Sequence, residues 1–260
     1  MIFSDRINKI IESQSIKQAA QIHKLKSQGK KIISLNIGEP DFAPDQSILE
    51  ATSKAVFEGK TKYSLVAGIK ELRDAIAINI NKKENLNINE ENILISNGSK
   101  QSLYNIFQTI CNPLDEVIII SPYWVSFPES IKLAGAIPRF VQVNDQLQPD
   151  LNNIKMAINN KTKAIVINNP NNPTGMVYNK NTLKEIGELA LKNDFFVISD
   201  EAYDELVYSQ NIFKTFSSLD DRFKSITITT KTFSKTYGMT GFRIGYMIAN
   251  KNLIEAANRF

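Results

Sequence analysis

Short β-branched apolar runs alternate along this chain with stretches of helical periodicity. Five runs read as buried strands: Asn92 to Ser96, Glu116 to Ile120, Ala164 to Ile167, Phe195 to Ser199 and Ile226 to Thr230. Between them, Leu103, Ile106, Phe107 and Ile110 recur at i, i+3, i+4 and i+7, the spacing of one buried helical face. Leu151, Ile154, Ala157 and Ile158 nearly repeat that spacing behind Asp150, which is placed as an N-cap. Thr182 and Glu185 have capping-box spacing ahead of Ile186, Leu189 and Ala190. Each intervening segment is long enough to cross back over a sheet, so the alternation predicts an α/β fold with parallel strands.

Every apolar run leads into a polar cluster. The clusters are Asn97-Gly98-Ser99-Lys100, Ser121-Pro122-Tyr123-Trp124, the stretch from Asn168 to Gly175, Asp200-Glu201-Ala202-Tyr203, and Thr232-Phe233-Ser234-Lys235. Parallel strands put all five on one sheet edge, where open α/β folds bind ligands. Lys235 offers an amine nucleophile beside the hydroxyls of Thr232 and Ser234, with Arg243 eight residues on. That set suits an aldehyde carrying a phosphate: the amine forms a Schiff base with the aldehyde, and the hydroxyls and guanidinium pair with the phosphate. Pyridoxal 5'-phosphate fits this description. A lone lysine after a strand is most often a solvated surface residue, and Lys231 stands in the same stretch. The coincidence of five clusters is what favours a site. A nucleotide-binding reading of Gly98-Ser99-Lys100 fails because the Walker glycine spacing is absent.

Composition narrows the class. A chain of 260 residues with 42% hydrophobic content can bury a large core, and no apolar run approaches the length of a membrane span. Asp5, Arg6 and Lys9 with no following apolar block argue against an export signal, and the single Cys111 forms no internal disulfide, so the cytoplasm is expected. The single His23 excludes a His-rich metal site, and no metal is expected. The net charge of +4 is dispersed, which indicates neither a nucleic-acid nor a membrane partner. Residues 1–43 read as a separate arm, with a helix from Ser15 to Gln28 stopped by Gly29 and an extended Ile32 to Ile37 leading into Gly38-Glu39-Pro40-Asp41. Pro40 and Pro44 mark the passage into a main domain over 44–260. Asn252 to Phe260 reads as the opening of a helix, so the chain is expected to be incomplete at its C-terminal end.

The stretches SLNIGEPDF, KYSLVAGIKELR, SNGSKQSL, SPYWVSFPES, NNPNNPTG, SDEAYDELVY and KTFSKTYGMTGFRIGY resemble, in order and spacing, the class I/II aminotransferases of pyridoxal-phosphate fold type I. The bacterial branch of aspartate and aspartate/prephenate aminotransferases is the nearest in kind. The resemblance implies a three-layer α/β/α large domain with a mostly parallel sheet, and a small domain of which this chain holds only the N-terminal arm. It makes Lys235 the Schiff-base lysine and proton shuttle, and sets Asp200 against the pyridine nitrogen. A carboxylate about 4 Å from that cation is worth about 4 kcal/mol at an effective dielectric of about 20, roughly 3 pKa units. Tyr203 and Asn172 would bond the ring's phenolic oxygen and Trp124 would stack on the ring. Gly98, Ser99, Lys100, Thr232, Ser234 and Arg243 would form the phosphate cup. Tyr63 would reach the phosphate of a neighbouring subunit, which implies a homodimer. Gly38, with Trp124 and Asn172, would contact substrate. Phe242 stands where many relatives have tryptophan.

The implied activity is transfer of an amino group from an amino acid, aspartate by branch resemblance, to a 2-oxo acid such as 2-oxoglutarate. Two alternatives stay open: a pyridoxal-phosphate lyase of the same fold, and a non-catalytic domain that senses cofactor or amino acid. Family members run well past residue 260, and the remaining part would supply most of the small domain and the arginine that grips the substrate α-carboxylate.

Overall fold

The structure, a computed structural model, describes residues 4–8, 10–11, 14–34, 38–208 and 213–260. Its first part is helical: α1 (Asp5–Asn8), α2 (Gln14–Ser27), α3 (Gln46–Phe57) and α4 (Lys70–Glu84). Strand and helix then alternate through β1 (Ile93–Ser96), α5 (Ser99–Ile110), β2 (Glu116–Ser121), α6 (Ser126–Leu133), β3 (Ile137–Gln142), α7 (Leu151–Ala157) and β4 (Thr162–Asn168). The chain closes with α8 (Lys180–Asn193), β5 (Phe196–Asp200), β6 (Thr227–Thr232), α9 (Phe233–Thr236), β7 (Gly245–Ile248) and α10 (Lys251–Ala257).

One seven-stranded sheet has the order β1-β7-β6-β5-β4-β2-β3. β3, β2, β4, β5 and β6 pair in parallel, and β7 is antiparallel to both β1 and β6. Because β7 opposes both neighbours, β1 points the same way as β6. All five strands foreseen from the apolar runs therefore end on one edge of the sheet. Two strands carry no such run. β3 is an edge strand, mostly exposed, with Pro138 and Arg139 in its sequence, and edges are where a proline's missing donor is tolerated. β7 is only four residues long.

Alternation along the strands divides the core. Val117, Ile119, Val166, Ile198 and Ile228 pack with α5, α6 and α10 on one face. Ile118, Ile120, Ile165, Ile167 and Val197 pack with α7 and α8 on the other. Both faces are covered, which is why the strands read as continuous apolar runs. A smaller cluster seats α4 on β1 and β7 through Ile76, Ile80, Ile93, Tyr246 and Ile248. Among the described residues no helix is long and apolar enough to cross a membrane.

Local chemistry sets the helix ends. Asp150 caps α7, accepting from the amides of Asn152 and Asn153 at 2.8 and 3.2 Å, as expected. The Thr182–Glu185 capping box is corrected: α8 begins earlier, at Lys180, capped by Asn179 accepting from Asn181 N–H at 2.9 Å. The asparagine lies three residues upstream and leaves Thr182 inside the first turn. α2 spans Gln14–Ser27, shifted by one residue from the expected Ser15 to Gln28, and Gly29 follows with φ of 78°. Of the extended Ile32 to Ile37 segment, residues 32–34 have no regular structure and 35–37 lie outside the described residues.

Gly187, inside α8, lies directly against the Phe223 ring, leaving no room for a Cβ. Gly187→Ala adds about 1 kcal/mol of helix propensity and imposes about 1–3 kcal/mol of overpacking. A net loss of stability is expected, read as a lower urea midpoint at unchanged m-value; a higher midpoint would contradict the packing.

Candidate active site

The site is assembled where five strands end. β4 and β5 are in register with Asn168 beside Asp200, and β5 and β6 with Asp200 beside Thr230. Asp200 is 4% exposed. Its Oδ1 accepts from Thr230 Oγ1 at 3.0 Å, and its Oδ2 from Asn168 Nδ2 at a long 3.4 Å. Burial raises the carboxyl to about 7, with the neighbouring Glu201 adding to the rise against the Thr230 and Ala202 hydrogen bonds. Among the described residues no cation contributes to that balance.

The loops leaving β4 and β5 meet above this carboxylate. Asn168 Oδ1 accepts from Asn172 N–H at 2.7 Å, and Asn172 Nδ2 donates to Tyr203 Oη at 3.1 Å. Asn171 Nδ2 donates to Pro122 O at 3.4 Å, joining the loop after β2. Burial raises the Tyr203 hydroxyl, and Asp200 adds to the effect.

Lys235 lies in α9, the short helix opened by Thr232. Thr232 Oγ1 accepts from Ser234 N–H at 3.2 Å and lies 3.3 Å from Ile244 O, so this hydroxyl shapes the helix start. Lys235 Nζ stands 5.9 Å from the Tyr203 ring centroid and donates to Gly38 O at 2.5 Å. Its ammonium is depressed, first by burial and then by Arg243, against the opposing pull of Glu39. Glu39 in turn accepts from Thr240 Oγ1 at 2.5 Å.

At the end of β1, Gly98 has φ of 78° and opens α5, whose first amides, at Ser99 and Lys100, have no acceptor within the helix. Arg243 lies over this turn: a Cβ at position 98 would stand 2.5 Å from its Nη2. Arg243 itself is left-handed, with φ of 58°, and its Nη1 donates to Thr240 O at 3.0 Å. Helix amides, a guanidinium and a glycine without a side chain make a cradle for an anion. Trp124 packs edge-on to Phe127, centroids 5.4 Å apart, and carries Lys100 Nζ 5.7 Å from its own centroid.

Lys235, Tyr203, Asn172 and Gly38 are thus joined by direct contacts and Asp200 is linked to them through Asn168; Gly98 with Arg243, and Lys100 with Trp124, are joined by others. Tyr63 is not brought to them; it is fully exposed. Sequence reasoning missed Asn168 and Thr230, the two side chains that hold Asp200. Their signal is registration across neighbouring strands, which no single strand carries. Lys231, given no role by the sequence, is 5% exposed and ion-paired with Glu201 and Asp204.

Residues 30–260 match the family model "Aminotransferase class I and II". The chain is 38% identical over 255 residues to a probable aspartate/prephenate aminotransferase of Thermus aquaticus, covering 97% of this chain and 66% of the relative. It is 38% identical over 260 residues to an aspartate aminotransferase of Bacillus subtilis, covering 98% of this chain and 66% of that protein. A solved structure of the Thermus thermophilus aspartate aminotransferase with maleate superposes with a TM-score of 0.95 at 37% identity, over 100% of this chain and 67% of the other. The chain therefore spans about two thirds of the length of these proteins. With the family model covering everything from residue 30 onward, the chain belongs to the class I and II aminotransferases, a family that depends on pyridoxal phosphate.

Proposed function

We propose that the protein is a pyridoxal-phosphate-dependent aminotransferase that moves an amino group from an amino acid to a 2-oxo acid. Aspartate as donor and 2-oxoglutarate as acceptor are the substrates suggested by the names of the relatives. The observation that carries the reading is Asp200, a buried carboxylate with two hydrogen-bonding side chains and, among the described residues, no cation to balance it. A pyridinium nitrogen is the kind of cation that would complete it, and the anion cradle at Gly98 and Arg243 suits the phosphate of the same molecule. The residues present fit the cofactor.

When bound, the cofactor supplies an aldehyde for covalent attachment and a ring that accepts electrons from the substrate carbon. Lys235 is the attachment point. Its depressed ammonium is already tuned toward the neutral amine that attack requires, and the freed Nζ can then take and return a proton. Asp200 would keep the ring nitrogen protonated. Tyr203, with Asn172 on its hydroxyl, is positioned to hydrogen-bond the ring oxygen. Arg243, Thr232, Ser234 and the amides of Ser99 and Lys100 at the Gly98 turn would hold the phosphate, and Trp124 would cover the ring. Gly38, whose carbonyl now holds Lys235 Nζ, would exchange that contact for substrate. This reading divides the chain into an arm over 1–43 and a cofactor-binding domain over 44–260. A cytoplasmic location agrees with the single Cys111, whose thiol burial pushes up to about 12, far from reactivity.

A homodimer is part of the same proposal. Val56, Phe57, Tyr63, Leu65, Val66 and Ile69 are exposed large apolar side chains within one short stretch, the kind of patch that marks an interface.

Borohydride reduction in the presence of pyridoxal phosphate, followed by peptide mapping, should label Lys235, and Lys235→Ala should abolish the label; a label elsewhere rejects the reading. The Asp200 carboxyl is raised from 3.8 to about 7 on folding. Its contribution to stability is therefore full below about 3.8 and lost as pH rises through about 7. In urea titrations of the cofactor-free chain, this group alone should remove up to about 4 kcal/mol between about pH 4 and pH 8, roughly three pH units at about 1.4 kcal/mol each. Asp200→Asn should flatten that part of the slope, still bind cofactor and lose most transamination. Sedimentation should show a dimer, and Tyr63→Ala should weaken cofactor binding about tenfold, a loss of about 1.4 kcal/mol, without lowering the unfolding midpoint.

A further inference from the structure

Thr230 and Lys231 are consecutive in β6 and point to opposite faces of the sheet. Thr230 meets Asp200. Lys231 enters the other face, where its Nζ stands 3.1 Å from Glu201 Oε2 and 2.5 Å from Asp204 Oδ2, with the Phe213 ring centroid 5.7 Å away. Glu201 is anchored in turn by Ser199 Oγ at 2.8 Å, Thr215 Oγ1 at 2.7 Å and the Phe216 amide at 3.0 Å. Glu201 is 1% exposed. Two carboxylates and one ammonium are thus withdrawn from water behind the site, an arrangement tolerable only while all three stay together.

The sequence positions of these groups give the cluster its meaning. Glu201 and Asp204 bracket a turn closed by Asp204 N–H to Glu201 O at 3.3 Å, and Tyr203 lies inside it. Asp200 immediately precedes it. Lys231 precedes Lys235 by four residues, with the end of β6 and the start of α9 between them. A single buried cation therefore ties the turn that carries Tyr203 and directly follows Asp200 to the strand that delivers Lys235. We propose that Lys231 is a positioning residue: by clamping Glu201 and Asp204 from behind the sheet, it fixes Asp200 and Tyr203 relative to the Lys235 amine. The significance of that geometry rests on the function proposed above, but the clamp itself does not require cofactor.

Hydrogen-exchange mass spectrometry of the cofactor-free chain tests the clamp. Lys231→Met should raise exchange at residues 201–206 at least tenfold while β2 and β4 stay protected, and Lys231→Arg should restore protection. The visible circular dichroism of bound pyridoxal phosphate, which reports a fixed ring orientation, should fall severalfold per cofactor in Lys231→Met and recover in Lys231→Arg. Unchanged exchange at 201–206, an equal rise throughout the sheet, or undiminished dichroism overturns the proposal. Should Lys231→Met not fold, Asp204→Asn decides: it leaves Lys231 paired with Glu201 and must show the same local rise, and its absence overturns the clamp. Failure of Lys235 to capture cofactor would instead sink the functional reading and leave the exchange result intact.

Discussion

A carboxylate buried among strand ends must either keep its proton or find a positive charge, and Asp200 imposes that condition on the whole carboxyl edge of the sheet. Its two side-chain partners, Thr230 and Asn168, are neutral, and one of the bonds is long. Burial consequently wins over hydrogen bonding, and the group sits near 7. The opposite problem holds at Lys235, where burial and Arg243 press an amine toward neutrality. An acid that favours its proton and a base that sheds one, the base beside the ring of Tyr203, form a site tuned for a ligand that is cationic at one end and electrophilic at another.

The two faces of β6 divide the labour. On one, polar side chains hold Asp200 with weak neutral contacts, leaving its charge to be answered from outside. On the other, Lys231, Glu201 and Asp204 satisfy one another with short ionic contacts. The pairing that is complete lies out of reach of a ligand, and the one that is incomplete lies where a ligand can enter. Such segregation lets the frame be rigid and the site remain reactive.

Much of this was readable in the sequence because each strand announces its own burial and each polar cluster follows directly from it. Lys235, Asp200, Tyr203 and Asn172 come together because parallel strands share an edge, a conclusion that needs only strand direction. Thr230, Asn168 and Lys231 were not readable, since their roles depend on which residue lies beside which across a strand pair and on which face it points. β3 escaped because an exposed edge strand with Pro138 has no apolar signature. β7 escaped because four residues are too few for periodicity to show. The helix start at Asn179 was missed for a chemical reason: asparagine and threonine both cap, and the structure uses the earlier one.

That short reversed strand has a geometric consequence. Adjacent strands lie about 4.8 Å apart, so the insertion of β7 separates β1 from β6 by about 10 Å. Running backwards, β7 brings its first residue to the ligand edge, and that residue is Gly245, whose α-carbon abuts the backbone of Gly98 and Ser99. β7 thus holds the amides that open α5 apart from the strand end that leads to Lys235, with bare main chain between them. The strand that contributes least chemistry therefore acts as the spacer between the helix start at Gly98 and the strand that leads into Lys235.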